Sequence, residues 1–232
     1  MLGTIINAIA IIIGGTLGLV LKTGIKDRYR IIVTQAQGIA VVFVGISGAV
    51  SSMQEKDAHP ILFIISLVVG ALLGEWVNIE FQLEKLGKWI ENKFQGNDSN
   101  IATGFVNASL LFCIGTMAVL GSIESGINGD HSILFVKSIL DGVIAVVLAS
   151  SLGLGVVFSA CTVFLYQGAI TLGASVLQPY ITGDILREIG IVGGILITII
   201  GLNLLEITKI KVGNMLPAIA IPVIYYMVIA IV

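Results

Sequence analysis

The sequence predicts an all-α, polytopic bundle of about eight transmembrane helices. Three observations lead there. Hydrophobic residues fill 56% of the 232 positions and charged residues only 11%, whereas a soluble domain carries about 25% charged residues. Mean hydropathy is +1.06. The few charges gather in short clusters between apolar runs of about 20 residues, the length that crosses a bilayer. A soluble fold of this length has no interior large enough for so much apolar surface, so the bilayer is the first partner expected. A net charge of −2, with no large basic patch, argues against nucleic acid.

The first span is residues 2–21. It begins MLGTIINAIAIIIGG with no cation ahead of the apolar run, so it reads as a retained helix rather than a cleaved leader. The second is about 31–50 and the third runs from Pro60 to about Val77. In 75–94, Trp76, Ile79, Leu83, Leu86, Ile90 and Phe94 recur at helical spacing, with Glu80, Glu84, Lys88 and Glu91 off that stripe. This amphipathic helix, about 75–95, either lies on the inner membrane surface or packs on the bundle as a connector. GNDSN (96–100) is a polar turn, and the fourth span is about 101–121. Residues 132–177 are too long for one crossing and divide into about 132–150 and 153–177, joined near SSLGLG. The seventh span is about 188–207 and the eighth about 212–232, where Asn214 can cap the helix, Pro217 sits in its first turn and Pro222 kinks it. The whole chain reads as one integral membrane domain, 1–232.

Lys and Arg set the orientation. Lys22, Lys26, Arg28 and Arg30 follow span one, Lys85, Lys88 and Lys93 follow span three, and Lys209 and Lys211 precede span eight. Eight spans put all three groups on one side, the cytoplasmic side, with Lys56 and Arg187 opposite and both termini outside. Seven spans would put Lys209 and Lys211 outside.

An inverted repeat is expected, with a first copy at about 1–78, a second at about 101–178, and extra spans at about 188–232. Residues 3–21 laid on 103–121 pair Asn7 with Asn107 and Gly15-Thr16 with Gly115-Thr116; further on, Gln37-Gly38 meets Asp141-Gly142. Three spans is an odd number, so the copies would be inverted, with a site near the midplane where they meet.

The chemistry centres on FVKSILDG (135–142). If span five starts near His131, Lys137 lies about 9 Å deep and Asp141 about 15 Å deep. Lysine can stretch back toward the headgroups, but aspartate cannot, and at mid-bilayer it costs roughly 2.5–3.5 kcal/mol on insertion scales. Lys137 at i−4 is its natural partner. The pair either locks the helix or lines an ion or solute path. Asn7, Gln35, Gln37, Asn107 and Asn203 are amides inside spans and complete the candidate path; each alone could be an interhelical clamp worth about 0.6 kcal/mol.

Gly14/Gly18, Gly70/Gly74 and Gly190/Gly194 are GxxxG spacings that allow close packing within the chain or in a homo-oligomer. Cys113 and Cys161, inside apolar runs, read as buried structural thiols. No HExxH, GxSxG, P-loop or cofactor fingerprint occurs, so no enzyme and no cofactor is expected, and the residues single out no metal. His59 and His131 fall in outer loops.

INAIAIIIGGTLG (6–18), GSIESGINGD (121–130), KSILD (137–141) and VGNMLPA (212–218) resemble the YqgA/YdfK-type family of bacterial proteins nearly end to end. The resemblance implies a multi-pass protein of the bacterial inner membrane, often labelled a candidate transporter and of unknown function. With the buried charges, the leading expectation is transport of a small solute or ion through a polar centre around Asp141. A scaffold or sensor with a structural Lys137–Asp141 pair, or a passive channel, is the alternative.

Overall fold

A computed structural model describes residues 1–22, 27–55, 59–94, 101–178 and 181–231. Every regular element among them is helical: α1 (Leu2–Lys22), α2 (Asp27–Met53), α3 (Pro60–Val77), α4 (Ile79–Phe94), α5 (Ile101–Cys113), α6 (Thr116–Ile127), α7 (Ser132–Leu152), α8 (Gly155–Leu172), the short α9 (Ala174–Leu177), α10 (Gly183–Leu204), a 3-10 segment (Val212–Ile219) and α11 (Ala220–Ile231). Six segments are long and apolar enough to cross a membrane, and two bent pairs, α3 with α4 and α5 with α6, raise the number to as many as eight. Ile9, Ile13, Ile61, Leu72 and Ile139 are among the large apolar side chains left exposed, as lipid-facing helices require. The polar turn read at 96–100 lies outside the described residues.

Several boundaries move. The fourth span is not one helix: α5 and α6 meet at 63°, across Ile114 and a Gly115 whose φ of +132° only glycine adopts freely. The third span and the amphipathic helix part at Asn78, which takes the left-handed conformation (φ 56°) that asparagine tolerates. Trp76 therefore ends α3, 86% exposed, while Trp89 on α4 lies under the Lys93 ammonium. The seventh span starts early, at Gly183 behind a Thr182 cap, so Arg187 is a buried helical residue rather than a loop cation. Residues 212–219 wind as 3-10 helix with Pro217 inside it; Pro222 falls in the first turn of α11, where its missing N–H costs little. Cys161 is exposed on α8 and Cys113 half-buried, so neither is the sealed thiol expected.

The chain folds into two compact units. The first holds Met1–Gln37, Gln82–Cys113 and Met117–Ser175. In it α1 runs parallel to α7: Gly3 faces Leu134, Gly14 the Gly142 carbonyl, and Gly18 Val146 and Ala149. A Cβ at Gly14 or Gly18 would collide with those carbonyls, so the absent side chain is what lets the backbones touch. α8 runs antiparallel to α1, with Val157 on Gly15 and Thr171 on Thr4, and parallel to α5, with Gly155 on Ile101 and Thr162 bonded to Ser109.

The second unit holds Gly38–Phe81, Ile114–Thr116 and Val176–Val232. Here α2 and α10 are antiparallel through facing glycines, Gly38 near Gly201 and Gly45 near Gly194. α3 is antiparallel to the 3-10 segment, Gly70 against Ala218 and Gly74 against the Asn214 carbonyl. All three GxxxG spacings are thus occupied by partners within the chain.

Helix direction bears on the number of crossings. Since α1 and α7 are parallel, the two bent pairs between them in sequence either both cross the membrane or neither does. Eight and six crossings satisfy this condition; seven does not.

Candidate functional site

The Lys137–Asp141 pair forms as its spacing predicts. On α7 the Lys137 ammonium lies 2.9 Å from Asp141 Oδ1 and 2.8 Å from Oδ2, and the side chains are 8% and 6% exposed. Asn7 on α1 donates its Nδ2 hydrogen to Asp141 Oδ2 at 3.0 Å. The parallel course of α1 and α7 makes this possible, because it sets Asn7, four residues past Gly3, at the turn of α7 that follows Leu134. One helix turn is polar here: the Ser138 hydroxyl donates to the Leu134 carbonyl, next to the pair.

Two more helices pass near the pair. The Thr4–Thr171 contact fixes the register of α8 on α1, and three residues on along α1 and four back along the antiparallel α8 bring Asn7 and Gln167 to about the same level. On α6, Gly121 touches Ile133 and Leu134, and Gly126 touches the Thr171 carbonyl, so Ser122 lies near the level of Leu134 and Thr171, about one helix turn from Asp141. Gln167, Ser122 and Asn7 are all fully buried. Both polar ends of the Gln167 amide, the Ser122 hydroxyl and Asn7 Oδ1 have no hydrogen-bond partner among the described residues. A buried polar group without a partner costs about 1–3 kcal/mol, so each of these groups gains from any polar partner, an ordered water included.

Of the sequence candidates, Asn7, Lys137 and Asp141 come together. Gln37 is buried at the end of the α2 portion in the first unit, with its amide unpartnered among the described residues. Gln35, two residues earlier, is exposed, and Asn107 is half-buried in α5. Asn203 belongs to the second unit, where its side chain closes the 205–211 loop: Oδ1 accepts from the Thr208 hydroxyl and the Ile210 N–H, and Nδ2 donates to the Ile210 carbonyl. Gln167 is missing from the sequence set, although it is a mid-span amide of the same kind. Ser122 carries no sequence signal, because a lone serine suits any helix interface.

A separate polar knot holds the joint between α3 and α4. Asn214 does not cap its own helix; its Oδ1 accepts the Glu80 N–H at 2.6 Å and its Nδ2 donates to Glu75. Glu80 in turn accepts the Gly213 N–H, and Lys211 lies 3.0 Å from Glu75. The asparagine therefore supplies the first turn of α4 with the acceptor that a local cap would give. No group of three or more His, Cys, Asp or Glu side chains able to hold a metal occurs among the described residues.

The profile of a family described as "Protein of unknown function (DUF554)" matches residues 2–227. An "Uncharacterized membrane protein YdfK" of Bacillus subtilis (strain 168) is 44% identical over 222 residues, covering 96% of this chain and 94% of that protein. An "Uncharacterized protein YqgA" of Escherichia coli (strain K12) is 30% identical over 223 residues, covering 94% and 93%. No solved structure matches. Matched almost from end to end, and helical throughout as an integral membrane bundle should be, the chain belongs to the DUF554 family.

Proposed function

We propose that this membrane protein is a secondary transporter that moves a small solute or ion past Asp141. The carrying observation lies in the first unit, where a buried ion pair is bonded by Asn7, and where the buried Gln167 amide, about level with Asn7, has no hydrogen-bond partner among the described residues. Ionisable groups inside a membrane are expensive and commonly mark a pathway. Asp141 binds the coupling cation or proton, Lys137 neutralises it when empty, and Asn7, Ser122 and Gln167 offer acceptors and donors to the cargo. The lysine-bearing loops face the cytoplasm of a bacterial inner membrane and both termini face outward, following the positive-inside rule. The inverted repeat belongs to the same reading: α1 and α5 run in opposite directions, as inverted copies must.

One observation favours a scaffold instead. Both Asp141 oxygens already have partners, as a purely structural clasp would have. Purified protein in liposomes separates the two. Solutes are first screened for ligands that raise the melting temperature, and uptake of those ligands is then driven by an imposed proton or sodium gradient. Wild type should accumulate the ligand, and the Lys137→Met/Asp141→Asn double variant should melt normally but not accumulate it. Full gradient-driven uptake by the double variant removes Asp141 as the coupling residue, and a wild type that no ligand stabilises supports the scaffold.

A further inference from the structure

The second unit contains a buried carboxylate of its own. Glu188, in the second turn of α10, is fully buried. Its Oε1 accepts the N–H of His59, the residue that starts α3, at 3.0 Å. His59 makes no side-chain cap of its own, so this oxygen serves the positive end of α3. The other oxygen, Oε2, is buried without a hydrogen-bond partner among the described residues. A capping role explains Oε1 and leaves Oε2 unaccounted for.

Among the described residues the site is short of positive charge. Arg187 is the cation beside it, with Nε 3.9 Å from Glu188 Oε1, but its NH2 group is bound more closely, at 2.9 Å, to Asp184. Two carboxylates thus share one guanidinium. From α11 the Tyr226 phenol faces Arg187, Glu188 and Asp184, and the His59 ring stacks at 6.5 Å from Tyr226. These are the charged and titratable groups that the described parts of α3, α10 and α11 turn toward Glu188. Asp184 is 54% exposed, so the arrangement runs from the surface to a sealed carboxylate oxygen within about one helix turn.

We propose that Glu188 is a second cation-exchange site, whose free oxygen takes up a proton or a monovalent alkali cation that reaches it past Asp184. Occupancy cancels the excess negative charge and gives Oε2 its missing partner. This inference does not depend on the transport reading of Asp141, since the groups involved all lie in the other unit.

The test uses the full-length protein in detergent, with two readouts. Infrared difference spectra across a pH titration report the C=O band of a buried protonated carboxyl. Melting is followed against sodium or potassium chloride at constant ionic strength, balanced with choline chloride. If the cation is a proton, wild type and Lys137→Met/Asp141→Asn show the band and Glu188→Gln loses it. If it is an alkali ion, melting rises with that ion in the first two and not in Glu188→Gln, which keeps the oxygen that binds the His59 N–H. Should Glu188→Gln fail to fold, wild type labelled with carboxyl-13C glutamate must shift the band, or Glu188→Asp must move the alkali midpoint. The proposal is overturned if Glu188→Gln retains the response, or if wild type shows neither a glutamate band nor melting that depends on either ion.

Discussion

Asp141 makes every bond that its two oxygens need for a buried ion pair, so its removal leaves a lysine without a counter-charge. Asp141→Asn alone should therefore lower stability by about 3–5 kcal/mol, and adding Lys137→Met should restore most of the loss; reversible unfolding in mixed micelles measures both. Gln167 is the converse case. Its amide is buried with neither end satisfied among the described residues, so Gln167→Leu should leave the melting temperature unchanged or raised while abolishing uptake. A marked fall in melting would make Gln167 structural. Outside the spans, Asp130 accepts from both the hydroxyl and the N–H of Ser132, and those bonds hold its carboxyl below the usual range. A lowered folded pKa contributes stability above the unfolded value and loses it as pH falls through the folded one. The hydrogen-exchange protection factor at the first turn of α7, corrected for the intrinsic pH dependence of exchange, should accordingly fall on acidification, and Asp130→Asn should remove that dependence. The Lys137–Asp141 contact was legible in the sequence because an i,i+4 pair needs only one helix. Asn7 as their partner was legible only as a mid-span amide, because its contact with Asp141 spans 134 positions and depends on how two helices pack.

Among the elements, run length and apolarity marked the spans, but breaks within them escaped. The IGTM at 114–117 sits where a regular α-helix gives way although it reads as the interior of an apolar run, and the VGNM at 212–215, which reads as the start of an α-helical span, winds as 3-10 helix instead. What breaks these helices is tertiary: Gly115 takes up its φ beside α10, and Asn214 spends its side chain on α3 and α4. The proposed pairing of Gly15-Thr16 with Gly115-Thr116 sets a continuous helix against a broken one, so any repeat relation must tolerate that local change. Glycine substitutions test the element contacts. Gly14→Ala pushes a methyl into the Gly142 carbonyl and should cost about 1–3 kcal/mol. Gly48→Ala, also inside a helix, meets nothing within 4 Å and should gain about 0.5–1 kcal/mol. Equal effects on melting from the two would mean that α1 and α7 do not pack as closely as described.

For the molecule as a whole, the class was legible from composition, since 11% charge in 232 residues leaves no soluble alternative. The number of crossings was less so. Charge bias favoured eight over seven, and the parallel α1–α7 pair gives an independent reason to reject seven. The early start of α10 was hidden because Asp184, Arg187 and Glu188 resemble a loop until Asp184 is seen to pair with Arg187 along one helix face. Sidedness is open to direct measurement. In a background without Cys113 and Cys161, single cysteines within 22–30 and 209–211 should resist an impermeant thiol reagent in intact cells and react in inverted vesicles. Labelling of either stretch in intact cells would reverse the orientation or change the count.

The contact between Asn7 and Asp141 also has a consequence in time. The two residues are separated by 134 positions, so α1 leaves the ribosome long before the helix that will satisfy it. At about 5–20 residues per second, the wait is on the order of ten seconds. Throughout it, α1 carries an amide that has yet to meet Asp141 and a glycine-lined face that has yet to meet α7, so that face stays open to lipid or to other helices until α7 arrives.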